Sequence, residues 1–159
     1  MLGQSVHVNG VDIRILDPLD LAMQRMYFGW KGIVEDSNAV MARHGLARAH
    51  HRILFVIGRA DGIAVGELLQ TLGISAQALQ RPMATLIEKG FVAAQRDPLQ
   101  HRRKKLSLTE AGLALENEAS EAQRAIFRRA FDAAGSQAAE GWSRVMQCIY
   151  EAAQPQTGA

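Results

Sequence analysis

Residues Ala64–Thr109 read AVGELLQTLGISAQALQRPMATLIEKGFVAAQRDPLQHRRKKLSLT, and this stretch decides the fold. Val65, Leu68, Leu69 and Leu72 recur at helical spacing and stop at Gly73. Ser75 then stands as a helix N-cap, its hydroxyl able to accept a free N–H of the first turn. Leu79, Met83, Leu86 and Ile87 form the buried face of a second helix, closed by Gly90. Phe91–Ala94 reads as a strand, and in the returning segment Leu106 and Leu108 alternate with Lys105 and Ser107 as a half-buried strand. Residues 95–104 lie between them, and Arg96, His101, Arg102, Arg103, Lys104 and Lys105 cluster there with only Asp97 as an acid. Two helices around a glycine turn, followed by a β-hairpin with a basic tip, are the layout of a winged helix-turn-helix.

On the N-terminal side, Leu46, His50, Ile53, Leu54 and Ile57 share one face of a helix over 46–60, ended by the Asp61-Gly62 turn. Before it, Asp17-Pro18 is a helix start, with Asp as N-cap and Pro at the first helical position. Leu19, Met23, Met26, Tyr27, Trp30 and Ile33 continue that helix to about Arg43, and His44-Gly45 ends it. Gly29 and Gly32 each weaken it by about 1 kcal/mol relative to Ala, so it needs packing partners. The Tyr27-Phe28-Trp30 cluster fits helix or dimer packing, and it also fits the wall of an aromatic-ligand pocket. In residues 1–16, Val11, Ile13 and Ile15 alternate with Asp12 and Arg14 after an Asn9-Gly10 turn signal, which fits a short extended segment or a flexible arm. On the C-terminal side, Thr109 caps a helix to about Ala134 that carries Leu113, Ile126 and Phe131. Gly135-Ser136 breaks it, and Trp142, Val145, Met146, Ile149 and Tyr150 stripe the last helix. The expected division is an arm over 1–16, helical dimerisation segments over 17–45 and 110–153, a winged helix-turn-helix over 46–109, and a frayed tail over 154–159.

Composition narrows the class without naming a partner. The 159 residues are 48% hydrophobic and 21% charged, enough for one core, and the net charge is only +2. What matters is therefore the clustering of positive charge and not its total. The single cysteine, Cys148, excludes an intrachain disulfide and a Cys-rich zinc module, and it is expected to be a buried structural thiol. No signal-peptide pattern and no apolar run of about 20 residues is present, so a cytoplasmic protein is expected, away from membranes. His44, His50 and His51 match no strong zinc spacing, and no metal or cofactor is expected. No GxSxG, P-loop, HExxH or Rossmann glycine pattern occurs, so an enzyme is not expected.

The second helix of the central stretch leaves Ser75, Gln77, Ala78, Gln80, Arg81, Ala84 and Thr85 outside its apolar stripe. Arg pairs with guanine, Gln with adenine, and Ala approaches a thymine methyl in a major groove. Packed cations at the hairpin tip repel one another, and phosphate relieves that repulsion.

From about Leu46 to Gly112 the chain resembles the MarR family of winged-helix transcription regulators. VGELLQTLGIS resembles that family's helix and turn, LIEKGFV its L-x-x-K-G-L-V junction, and DPLQHRRKKLSLTEAG its D-P-x-D-x-R-x-x-x-x-x-L-T-x-x-G wing. The resemblance implies a mainly α fold with a small β-hairpin wing, and dimerisation through N- and C-terminal helices. It implies a sequence-specific, ligand-responsive homodimeric repressor that binds a palindromic operator in double-stranded DNA through recognition helix 75–89 and wing 95–105. By position, Ser75, Gln77, Ala78, Gln80, Arg81 and Thr85 would read bases, and Arg102, Arg103 and Lys104 would bind from the wing, with Arg102 in the minor groove. A small aromatic or lipophilic effector is expected, with Tyr27, Trp30, His50 and His51 as its lining. The alternative is a winged-helix module that binds protein without specific DNA binding. There are three departures from the family pattern: Gln100 replaces the aspartate that orients the wing arginine, Ala94-Gln95 replaces a commonly basic pair, and Pro82 interrupts the recognition helix. Pro82 predicts a kink there, because it removes a backbone hydrogen bond at a typical cost of about 3 kcal/mol.

Overall fold

The computed structural model describes residues 4–8, 10–15, 17–60, 62–96 and 104–153. Strands β1 (Gln4–Val8) and β2 (Val11–Ile15) form an antiparallel hairpin with Val8 opposite Val11. Gly10, at φ +84°, makes the tight reversal that a residue with a Cβ adopts at a cost. The extended option for residues 1–16 is thus the one the described part of the arm takes.

Asp17 starts α1 (Pro18–Arg43) through a reciprocal cap. The Leu19 N–H donates to Asp17 Oδ1 at 2.7 Å, and the Asp17 N–H donates to Asp20 Oδ2 at 2.8 Å. After the His44-Gly45 turn come α2 (Arg48–Gly58), the two-residue strand β3 (Ile63–Ala64), α3 (Val65–Leu72) and α4 (Ala76–Glu88). Strands β4 (Val92–Arg96) and β5 (Lys104–Leu108) make the wing, with Val92 opposite Leu108 and Arg96 opposite Lys104. The sheet order is β3-β5-β4, all antiparallel. The chain then runs through α5 (Glu110–Ala134), breaks at Gly135 and ends the described part in α6 (Ser136–Ala153).

One apolar core joins Val40 and Met41 of α1, Ile53, Leu54 and Ile57 of α2, Leu68, Leu79 and Leu86 of the helix-turn-helix, Leu106 of the wing and Leu115 of α5. It includes neither the first half of α1 nor any of α6. Leu19, Met23, Met26, Tyr27 and Trp30 of α1 are exposed, as are Trp142, Val145, Ile149 and Tyr150 of α6. Trp142 stacks on Phe127 and Phe131 with ring centroids 5.4 and 5.6 Å apart, which fixes α6 to the end of α5.

Several sequence expectations need correction. Cys148 is exposed, because α6 lies outside the core. Val65, Ile87 and Leu113 are exposed too, although they extend apolar stripes. Val65 opens the first turn of α3 and Ile87 sits in the last turn of α4, beyond the reach of the core on both helices. Strand β3 has only two residues and so no periodicity to read.

Candidate DNA-binding surface

Helix α4 is two-sided. Leu79, Met83 and Leu86 are buried, while Ser75, Gln77, Ala78, Gln80 and Arg81 are exposed and Thr85 is half-buried. Two of these side chains already have local work. Ser75 Oγ accepts the Ala78 N–H at 3.2 Å as the N-cap, and Thr85 Oγ1 donates to the Arg81 carbonyl at 3.1 Å. Gln77, Gln80 and Arg81 are the long polar side chains that project from the exposed face. No acidic residue stands between Glu67 and Glu88, so no carboxylate within α4 before its last residue repels a phosphate.

Pro82 does not end the helix, which is continuous from Ala76 to Glu88. The hydrogen bond it removes leaves the Ala78 carbonyl without its helical donor. Ala78 is exposed, so water can serve that oxygen at small cost.

Beside this face, Val65 of α3 and Ala76, Leu79, Met83, Ala84 and Ile87 of α4 line an apolar groove of about 660 Å³. Gln77 and Gln80 stand at its edge. The sequence pattern assigned Val65 and Ile87 to the core, and this groove is where they are instead.

The wing is tied to the end of α4 by the L-T-x-x-G motif. Thr109 Oγ1 donates to the Gly90 carbonyl at 2.7 Å and accepts the Gly112 N–H at 3.0 Å, while the Thr109 N–H donates to the Phe91 carbonyl at 3.1 Å. A Cβ on Gly112 would lie 1.9 Å from the Phe91 oxygen, so no other residue fits there without moving the backbone. Lys104 and Lys105 are exposed at the start of β5. Arg102 and Arg103 lie outside the described residues, as do Asp97, Gln100 and His101.

The four effector-site candidates separate into two places. Tyr27 and Trp30 line a cleft of about 380 Å³ with Lys31, Val34, Glu35 and Asn38 of α1 and Arg48 of α2. Asn38 Oδ1 is buried with no hydrogen-bond partner among the described residues. Lys31, Val34 and Asn38 follow Tyr27 and Trp30 at helical spacing, a signal that could have found them. Arg48 reaches the cleft only through the α1–α2 turn, which the sequence does not show. His50 and His51 do not line this cleft. His50 Nδ1 accepts the Ala47 N–H at 3.0 Å at the start of α2, and burial lowers its pKa. His51 is buried against α5, where its Nε2 lies 3.2 Å from Ser120 Oγ. Burial lowers the His51 pKa, which the Glu116 carboxylate opposes and Arg59 and Arg52 reinforce.

A helix-turn-helix whose second helix turns a polar face outward, followed by a short sheet with a basic hairpin, defines the winged helix-turn-helix class. A sequence model of the MarR family matches residues 44–103. Over 137 residues the chain is 36% identical to the HTH-type transcriptional regulator PetP of Rhodobacter capsulatus, covering 86% of this chain and 82% of PetP. The chain belongs to the MarR family. Among solved structures, a mutant of MepR from a multidrug-resistant S. aureus clinical isolate superposes with a TM-score of 0.67 at 12% identity, covering 88% of this chain and all of that one (100%). Apo wild-type MarR from E. coli superposes with a TM-score of 0.62 at 18% identity, covering 85% of this chain and 98% of that one. At these identities the two structures speak for the fold alone.

Proposed function

We propose that this DNA-binding transcriptional regulator is a homodimeric repressor that reads a palindromic operator and responds to a small aromatic or lipophilic effector. The two-sidedness of α4 carries the reading. Its apolar face is locked into the core, and Gln77, Gln80 and Arg81 are held outward on a rigid helix whose only acid is its last residue, Glu88, as major-groove contact requires. Lys104, with Arg102 and Arg103, supplies wing contacts to phosphate and the minor groove.

Dimerisation is supported by the apolar faces of α1 and α6, which a lone protomer leaves in water. An exposed stripe of this extent on two helices marks an association surface. Residues 17–45 and 110–153 form the dimerisation region in this reading, and 46–109 form the DNA-binding unit. Two-fold symmetry then sets two recognition helices about one helical turn of DNA apart. The Tyr27–Trp30 cleft, lined by two cations, Lys31 and Arg48, against one carboxylate, Glu35, suits a small planar aromatic ligand. Selection from a random duplex pool with the purified protein tests the function. Enrichment of two inverted half-sites about 10 base pairs apart is expected. A single unrepeated motif contradicts the two-fold reading, and no enrichment at all contradicts specific DNA binding.

A further inference from the structure

The second turn of α5 carries a carboxylate that DNA contact does not explain. Glu116 is 1% exposed, and its Oε1 accepts from Arg59 Nη1 at 2.7 Å and from Ser120 Oγ. Ser120 has one hydroxyl proton, which it gives to Glu116, so it can only accept from His51. His51 therefore carries its proton on Nε2, and the chain of donors runs from His51 through Ser120 to the carboxylate. Arg59 is fixed in turn, because its Nη1 also donates to the Phe55 carbonyl at 3.2 Å and its guanidinium lies 3.7 Å over the Phe55 ring. His51 is in the first turn of α2 and Arg59 is its C-cap. One turn of α5 is thus pinned to both ends of α2. Gly58, the last residue of α2, faces the same carboxylate: a Cβ there would stand 3.8 Å from Glu116 Oε2, in ordinary contact.

Burial of an ion pair is weak evidence of stabilisation, because apolar side chains of similar size commonly serve a core as well. Directional bonds give orientation instead. Helix α5 begins at the wing and ends at α6, so its angle to α2 relates the DNA-contacting unit to the surface that meets the second copy. From Glu116 to Ala134 it extends roughly 27 Å. A tilt of about 5° at Glu116 displaces its far end by roughly 2 Å over that length.

The geometry points to Glu116 as a positioning residue: with Arg59, Ser120 and His51 it sets the angle between α2 and α5, and thereby the separation of the two recognition helices. This rests on the dimeric DNA-binding reading above. The consequence is a protein that measures the spacing between half-sites.

The test uses full-length protein and a set of duplexes that carry the selected half-sites with the natural spacing, or with one base pair added or removed. Wild type is expected to prefer one spacing by about tenfold or more, and Glu116→Gln is expected to flatten that preference to about threefold or less. Binding to an isolated half-site should stay within about twofold, a readout that general loss of fold would not spare. Arg59→Lys keeps the charge but loses the fork and the ring contact, and it should flatten the profile in the same way if Glu116→Gln does not fold. Folded variants that keep the wild-type spacing profile overturn the inference and leave the function intact. Wild type indifferent to spacing overturns the two-fold reading, and this inference with it.

Discussion

Arg81 and His51 show two ways in which a single residue can be tested. Arg81 is exposed on α4, two turns before the helix's only acid, Glu88, and can make a bidentate contact to guanine. Replacing it with Ala should weaken binding to the selected operator by about 1–3 kcal/mol and leave binding to unrelated duplex nearly unchanged. Equal loss on both duplexes would make Arg81 a phosphate contact and not a reader. His51 makes a prediction about pH. Burial lowers its pKa below the ordinary value of 6.5 in the folded state, so on acidification the unfolded chain takes up the proton first. Its contribution to stability is complete above about 6.5 and is lost as pH falls through the lowered native value. His51→Gln should therefore show a shallower fall in Tm between pH 7.5 and 5 than wild type, in parallel thermal melts at about equal salt. Identical slopes would remove His51 from the acid response, with His50 the other histidine whose pKa burial lowers.

At the scale of the element, the clearest prediction concerns the joint between wing and α5. Gly112→Ala places a methyl group where the Phe91 carbonyl already is, and the backbone must shift. Overpacking of this kind destabilises by about 1–3 kcal/mol, measurable as a lower urea midpoint at unchanged slope. A midpoint equal to that of wild type would mean the joint is soft. Much at this scale was legible in the sequence. The starts of α1, α4 and α5 were marked by Asp17-Pro18, Ser75 and Thr109, whose caps act within one turn and therefore show in local order. The interior of α2 was marked by Ile53, Leu54 and Ile57. Periodicity failed where burial depends on distant neighbours. Val65 and Ile87 continue apolar stripes, yet the core stops short of them, and they face the groove beside Gln77 and Gln80. Cys148 sits on an amphipathic helix that packs only on the end of α5 and lies outside the core, so pattern alone could not tell an exposed thiol from a buried one. The Glu116 network was invisible, because it joins residues 57 and 69 positions apart that no local motif relates. The cleft beside Tyr27 and Trp30 was half legible: α1 spacing reaches Asn38, but Arg48 comes from the next helix.

For the whole molecule, the two exposed apolar helices and the DNA-contacting face are parts of one proposal. If α1 and α6 meet a second copy, Val145→Asp together with Ile149→Asp should yield particles of one chain, 17.4 kDa, in light scattering where wild type gives twice that mass. A double variant that still runs as a dimer would place the contact elsewhere. Losing the dimer should also weaken binding to the inverted repeat far more than binding to one half-site, since linked sites act at high effective concentration. The central claim, that recognition helix and wing bind DNA together, is tested most directly by the salt dependence of affinity for the selected duplex. Between about 50 and 200 mM salt, log K of wild type should fall linearly with log salt, and Lys104→Ala should show a slope smaller in magnitude by about one. Affinity that does not change with salt, and is the same for selected and scrambled duplexes, would contradict the account.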